Sequence, residues 1–99
     1  MPLVVLWSPG AIEDIKRLYN FLAEKNLDAA QAAAALLFKQ AEILESFPNA
    51  GRPAEDLNPE HREILIPFGA AGYVLLYHFD EDRAAVTVLA VRHQKEAGY

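Results

Sequence analysis

The chain has 99 residues, just over half of them hydrophobic, a formal net charge of −5 and no cysteine. Such a length fills one core rather than two, so residues 1–99 are expected to form a single domain. The missing cysteines exclude disulfides, thiolate metal sites and cysteine nucleophiles, and the acidic balance argues against a surface that grips nucleic acid all over, since phosphate contacts need clustered Lys and Arg.

The first element in chain order is apolar and β-prone, Leu3 to Trp7, and it stops at Ser8-Pro9. The stretch Met1 to Leu6 has no basic leader and is too short for a signal peptide or a membrane span, so a cytoplasmic protein is expected. Ser8 is suited to cap a helix and Pro9 to its first turn. From Ala11 onward, Ile12, Ile15, Leu18, Tyr19 and Leu22 recur at helical spacing, with Glu13, Asp14, Lys16 and Arg17 turned elsewhere. Asn26-Leu27-Asp28 interrupts this helix, and Asp28 with Gln31 has the form of a capping box for a second one reaching about Ser46. Its alanines, from Ala29 to Ala35, favour helix and permit close approach of a neighbour. The short connection predicts an antiparallel helical hairpin, with Ala33 facing the first helix.

Pro48-Asn49-Ala50-Gly51-Arg52-Pro53 is a breaker cluster, and the acidic stretch to Glu60 reads as an exposed loop. Three strands follow, Arg62 to Phe68, Tyr73 to Phe79 and Ala84 to Val91, separated by turn-like Gly69-Ala70-Ala71-Gly72 and Asp80-Glu81-Asp82-Arg83. Tyr73, Tyr77 and Phe79 share one face and serve the core, whereas His78 faces the other way. The predicted class is α+β: an N-terminal strand, a helical hairpin, then a three-stranded antiparallel meander in one small sheet. The hairpin covers one face of the sheet, and the first strand pairs at an edge or inserts beside the last strand.

Polar chemistry concentrates at the C-terminus. Residues 83–99 carry a local +2 and the remainder −7. The last strand runs without a turn into Arg92-His93-Gln94-Lys95-Glu96-Ala97-Gly98-Tyr99, placing a guanidinium, an imidazole, an ammonium and a phenol at one end of a sheet. Arg92, His93 and Tyr99 are residue types that serve nucleolysis, as phosphate anchor, acid or base, and proton donor or stacking surface. The same residues also suit a protein contact or a solvated tail. Arg52 is a second-rank candidate, and Arg62 is expected to pair with a nearby carboxylate. The three scattered histidines form no zinc pattern, and the acidic loops match no EF-hand, so no metal is expected. No P-loop, dinucleotide fingerprint or nucleophile elbow occurs, and no cofactor is expected.

Taken together, the Trp7-Ser8-Pro9 junction, the alanine-rich second helix, Phe47-Pro48-Asn49-Ala50-Gly51-Arg52-Pro53, Arg62-Glu63-Ile64, Gly72-Tyr73-Val74-Leu75-Leu76-Tyr77 and Val91-Arg92-His93-Gln94 closely resemble the RelE/ParE toxin superfamily. The likeness spans nearly the whole chain. It implies a toxin of a type II toxin–antitoxin module, assembled with a small DNA-binding antitoxin as a hetero-oligomer.

The superfamily has two outputs, and the resemblance implies different residues for each. RelE-like members cut messenger RNA on the ribosome with basic residues on the central strands and an aromatic or histidine near the C-terminus. ParE-like members poison DNA gyrase without cutting RNA. At the positions of the ribonuclease cations this chain has Leu65, Pro67 and Val74, while His93 and Tyr99 match the terminal part of the pattern. The ParE-like branch is preferred, with Arg92, His93, Lys95, Tyr99 and Arg52 as target-binding residues. Under the RelE-like alternative, His93, Tyr99 and Arg92 are the catalytic set. A third reading is a decayed toxin that retains only antitoxin binding.

Overall fold

The computed structural model describes residues 3–54 and 60–96. Strand β1 (Val4–Trp7) ends where Ser8 turns the chain into α1 (Pro9–Ala23). The Ser8 hydroxyl accepts from Ala11 N–H at 3.1 Å, the N-cap that the Ser-Pro pair predicts. Helix α2 (Leu27–Glu42) passes into a 3₁₀ turn (Ile43–Glu45), close to the expected limit at Ser46. Its cap differs from expectation. Asn26, with an extended backbone, accepts from Ala29 N–H at 3.0 Å, while Asp28 sits inside the first turn near the positive helix end. Ala30, Ala33, Leu37 and Ala41 are buried, and Ala33 lies in the seam with Ile15 and Leu18 of α1.

Three strands follow the hairpin, with a short one before them: β2 (Arg52–Pro53), β3 (His61–Phe68), β4 (Ala71–Asp80) and β5 (Ala85–His93). The sheet order is β1-β5-β4-β3-β2. The meander is antiparallel, and β1 lies parallel to β5 at the sheet edge, pairing Val4 to Trp7 with Ala85 to Val88. β1 therefore sits both at an edge and beside the last strand. The β3–β4 turn uses Gly69 at φ +62°, a conformation open to glycine at little cost. β2 is the element missing from the sequence reading. Two residues have no periodicity to detect, and Arg52-Pro53 becomes a strand only by pairing with Glu63 and Arg62.

Alternation assigns the two faces of the sheet. Ile66, Tyr73, Leu75, Tyr77, Val86, Val88 and Val91 are buried against the hairpin, with Phe79 partly buried beside them. A register shift at Leu76/Tyr77 lets β5 present both Val88 and Val91 inward, since Tyr77 pairs with Val88 while Leu75 pairs with Val91. The Ser8 hydroxyl donates to Leu89 O at 3.2 Å, satisfying a carbonyl inside that irregularity. Farther along β5, Asp14 Oδ2 accepts from Val91 N–H at 3.0 Å. Polar side chains at the start of α1 thus pair backbone groups of β5 beyond the end of β1.

Candidate functional site

The polar residues at the end of β5 do not emerge as one tail. Arg92 and His93 are the last two strand residues, opposite Val74 and Tyr73, so they point to opposite faces of the sheet. His93 is on the helix-covered side, its ring edge-on to Tyr73 with centroids 5.7 Å apart. Arg92 is on the open face, and its guanidinium curls back to donate to Glu96 O at 3.2 Å and to His93 O at 3.4 Å. The expected single cluster is therefore split by strand alternation. Arg92 and His93 cannot reach one small group from the same side of β5.

His93 is closely held. Its Nδ1 accepts from Lys95 N–H at 3.1 Å, which requires that nitrogen to be unprotonated and leaves Nε2 as the ring's second polar atom. Its own N–H donates to Glu96 Oε2 at 3.2 Å. Glu96 in turn forms a bidentate ion pair with Arg17 of α1, whose second contact measures 3.3 Å, and Asp14 approaches the same guanidinium at 3.7 Å. The hydrogen bond from Arg17, more than any other cause, holds the Glu96 carboxyl below the usual carboxylate range, and Glu96 likewise raises Arg17. α1 and the segment after β5 are thereby tied together at the sheet end.

Beside this tie lies an open groove of about 740 Å³. Leu18, Phe21 and Leu22 of α1 form one wall, and Phe68, the 69–71 turn and Tyr73 form the other, with His93 and Lys95 at the end. Phe21 is largely exposed, and Lys25 Nζ lies 4.7 Å from its ring centroid. The groove is apolar with a cationic rim, dimensions and chemistry suited to an amphipathic protein segment.

The Gly51-Arg52-Pro53 cluster has a structural role at the opposite end of the sheet. Tyr77 Oη donates to Pro48 O at 2.7 Å and accepts from Gly51 N–H at 2.9 Å. Arg62 donates to Gly51 O at 2.7 Å. The expected pairing of Arg62 with a carboxylate is thus corrected: Arg62 holds the loop backbone, and Arg52 pairs with Glu63 at 2.9 Å across β2 and β3. Arg52 is engaged in that pair and lies far along the sheet from His93. Burial pushes the Tyr77 phenol up, with the Gly51 bond and Arg62 acting the other way. Lys95 is exposed next to the groove, and Tyr99 lies outside the described residues.

The open face carries few cations where an RNA-cleaving site would need them. Leu65 pairs directly with Val74, which pairs with Arg92, and Pro67 pairs with Gly72. Leu65 is exposed and Val74 is buried. Among the described residues, no three His, Asp or Glu side chains form a metal-holding group, and no helix is long and apolar enough to cross a membrane.

The family model for the ParE toxin of type II toxin–antitoxin systems, parDE, matches residues 5–98. Toxin RelE3 of Caulobacter vibrioides is 34% identical over 88 residues, 89% of this chain and 90% of that protein. Among solved structures, the chromosomal ParDE toxin–antitoxin system from P. aeruginosa superposes with a TM-score of 0.71 at 17% identity, covering 92% of this chain and 95% of that one. The RelBE2 toxin–antitoxin complex from Mycobacterium tuberculosis gives 0.65 at 22% identity, covering 95% and 100%. These two share the α+β fold described above. The chain belongs to the RelE/ParE toxin superfamily of type II toxin–antitoxin systems, as its sequence motifs imply.

Proposed function

We propose that residues 1–99 act as one ParE-like toxin domain in the cytoplasm, disabling DNA gyrase through protein contacts and neutralised by a cognate antitoxin. The observation that carries this reading is the Leu65–Val74 pair on the open face, with Pro67 beside it, in place of cations. A nuclease working on ribosome-bound RNA must stabilise developing phosphate charge, and that demands positive groups aimed at the reacting phosphate. Here the two strand cations of that face are already engaged, Arg52 with Glu63 and Arg92 with backbone carbonyls of its own turn. The ParE family model supports the same branch. The apolar groove, with Lys95 and the Arg17–Glu96 pair at one end, is a surface on which an antitoxin segment can lie.

The RelE-like reading keeps one specific observation in its favour. His93 stands at the groove end near Arg17 and Lys95, and both curated relatives, Toxin RelE3 and Toxin RelE1 of Caulobacter vibrioides, bear RelE names. Gyrase supercoiling and ribosome-bound mRNA cleavage, measured side by side with the purified chain, separate the two. Supercoiling should fall and mRNA should stay intact. Cleaved mRNA with untouched supercoiling would overturn the ParE-like reading.

A further inference from the structure

The outer edge of β1 is an open edge of the described sheet. β1 is the terminal strand on its side of the sheet, and Leu3 to Ser8 carry no charge. Exposed apolar edges of this kind are usually blunted by charge, proline or a bulge, because they offer a ready template for another strand. Val4 N–H donates to Ala84 O and Ser8 N–H to Val88 O, so the even-numbered residues bond inward to β5. By alternation, Leu3, Val5 and Trp7 direct their backbone groups outward. Leu3 N–H is taken by Glu45 O at 3.0 Å. Among the described residues no strand pairs with Val5 or Trp7 on that side.

Apolar side chains flank both sides of the edge. Val4 and Leu6 are half exposed, at 57% and 50%, on the open face of the sheet. On the helix side, Trp7 packs against Phe38 with ring centroids 4.9 Å apart, and Phe38 and Ile43 are themselves exposed. A strand added here therefore finds backbone partners and apolar area together.

We propose that this edge is a self-association surface on which two copies of the chain pair β1 against β1 in antiparallel fashion, continuing the sheet across a two-fold axis. One register uses both available residues and avoids the occupied Leu3. It sets Leu6 opposite the Leu6 of the second copy, and Val5 of each copy opposite Trp7 of the other. Val5 and Trp7 then exchange backbone hydrogen bonds, and the two Leu6 side chains form the non-hydrogen-bonded pair at the axis. The surface is self-complementary, as a two-fold interface requires. No like charges meet along the seam. At its ends, Glu45 beside Leu3 of one copy approaches the start of α1 in the other, where the first turn has no acidic residue to oppose it.

Because the chain has no cysteine, a single introduced thiol reports this geometry cleanly. In Leu6→Cys the two Cα atoms across the axis would lie about 4.5 Å apart, within disulfide reach. The purified full chain is expected to approach twice its 11.0 kDa mass in sedimentation as concentration rises. Leu6→Cys should form a covalent dimer under oxidised glutathione, while Leu65→Cys, exposed in β3 away from the edge, should form no such cross-link. Leu6→Lys, which sets two ammonium groups against each other, should sediment as a monomer where the parent is dimeric, and its thermal melt should match the parent's at dilutions where both are monomeric. A parent that remains monomeric throughout, a dimer that survives Leu6→Lys, or Leu6→Cys cross-linking no faster than Leu65→Cys would each overturn the proposal.

Discussion

Tyr77 and Tyr73 lie on the same face of β4 and are both buried, yet they serve ends of the sheet that are built differently. At the Tyr77 end, a neutral phenol bonds two backbone groups of the loop after α2, and Arg62 bonds a third. At the Tyr73 end, the ring meets His93 edge-on, and the chain after β5 is held by Arg17 and Glu96 at the surface. The first end has little room to adjust, because its partners are backbone atoms packed inside the molecule. The second is held by long, partly exposed side chains that water can replace. Stability should accordingly reside at the Tyr77 end, and sequence there should be dictated by packing. The Tyr73 end can vary its surface at small cost to the fold, which suits it to contact partners.

The strongest way to break this contrast is Gly51→Ala. A Cβ there would stand 2.7 Å from both Glu63 O and Tyr77 Oη, and a strand carbonyl cannot swing aside as a flexible side chain can. The expected loss is roughly 3 kcal/mol, read by denaturant unfolding. Tyr77→Phe should follow, costing roughly 1–3 kcal/mol because Gly51 N–H and Pro48 O lose their buried partner. If either variant melts like the parent, the loop is not held as described.

The Tyr73 end should respond weakly and with a definite pH dependence. Glu96 has a folded-state pKa below its ordinary value, chiefly through Arg17. Its contribution is therefore present above the unfolded pKa and fades as pH falls through the lower folded value. Glu96→Gln should lower stability at neutral pH by less than about 1 kcal/mol, the range of exposed ion pairs, and that difference should vanish in acid. Thermal melts of both proteins across that range check it. A loss that grows on acidification would contradict the assigned sign.

Much of the fold is legible in the sequence because periodicity reports burial directly. Ile15 and Leu18 mark the inner face of α1, Tyr73 and Tyr77 the inner face of β4, and both lie where their spacing puts them. What escapes is whatever depends on strand register. Sequence proximity favours Arg62 as the partner of a carboxylate and leaves Arg52 a site candidate, and only when β2 and β3 align does Glu63 fall beside Arg52. The capping of α2 escapes for a different reason. Asn26 and Asp28 are both good caps, and the choice is made by where the chain turns extended after α1.

The candidate site was partly legible. The types and order of Arg92, His93 and Lys95 mark the basic end, but reading them as a tail hides the continuation of β5 through His93, which sends neighbouring residues to opposite faces. Nothing local in the sequence marks the groove, since its two walls come from α1 and the β3–β4 turn. Nor does anything local foretell that Glu96 would meet Arg17 from the other end of the chain.

The central claim, toxicity through protein contact and not through proton transfer, is tested most directly by the growth arrest caused by His93→Ala expressed without antitoxin. A general acid or base contributes about 10²–10⁴-fold to rate, so a catalytic His93 would make this variant nearly harmless. His93→Ala should still arrest growth, more strongly than Arg92→Ala at matched expression. Abolished arrest in His93→Ala, with a thermal melt equal to the parent's and Arg92→Ala still toxic, would contradict that claim.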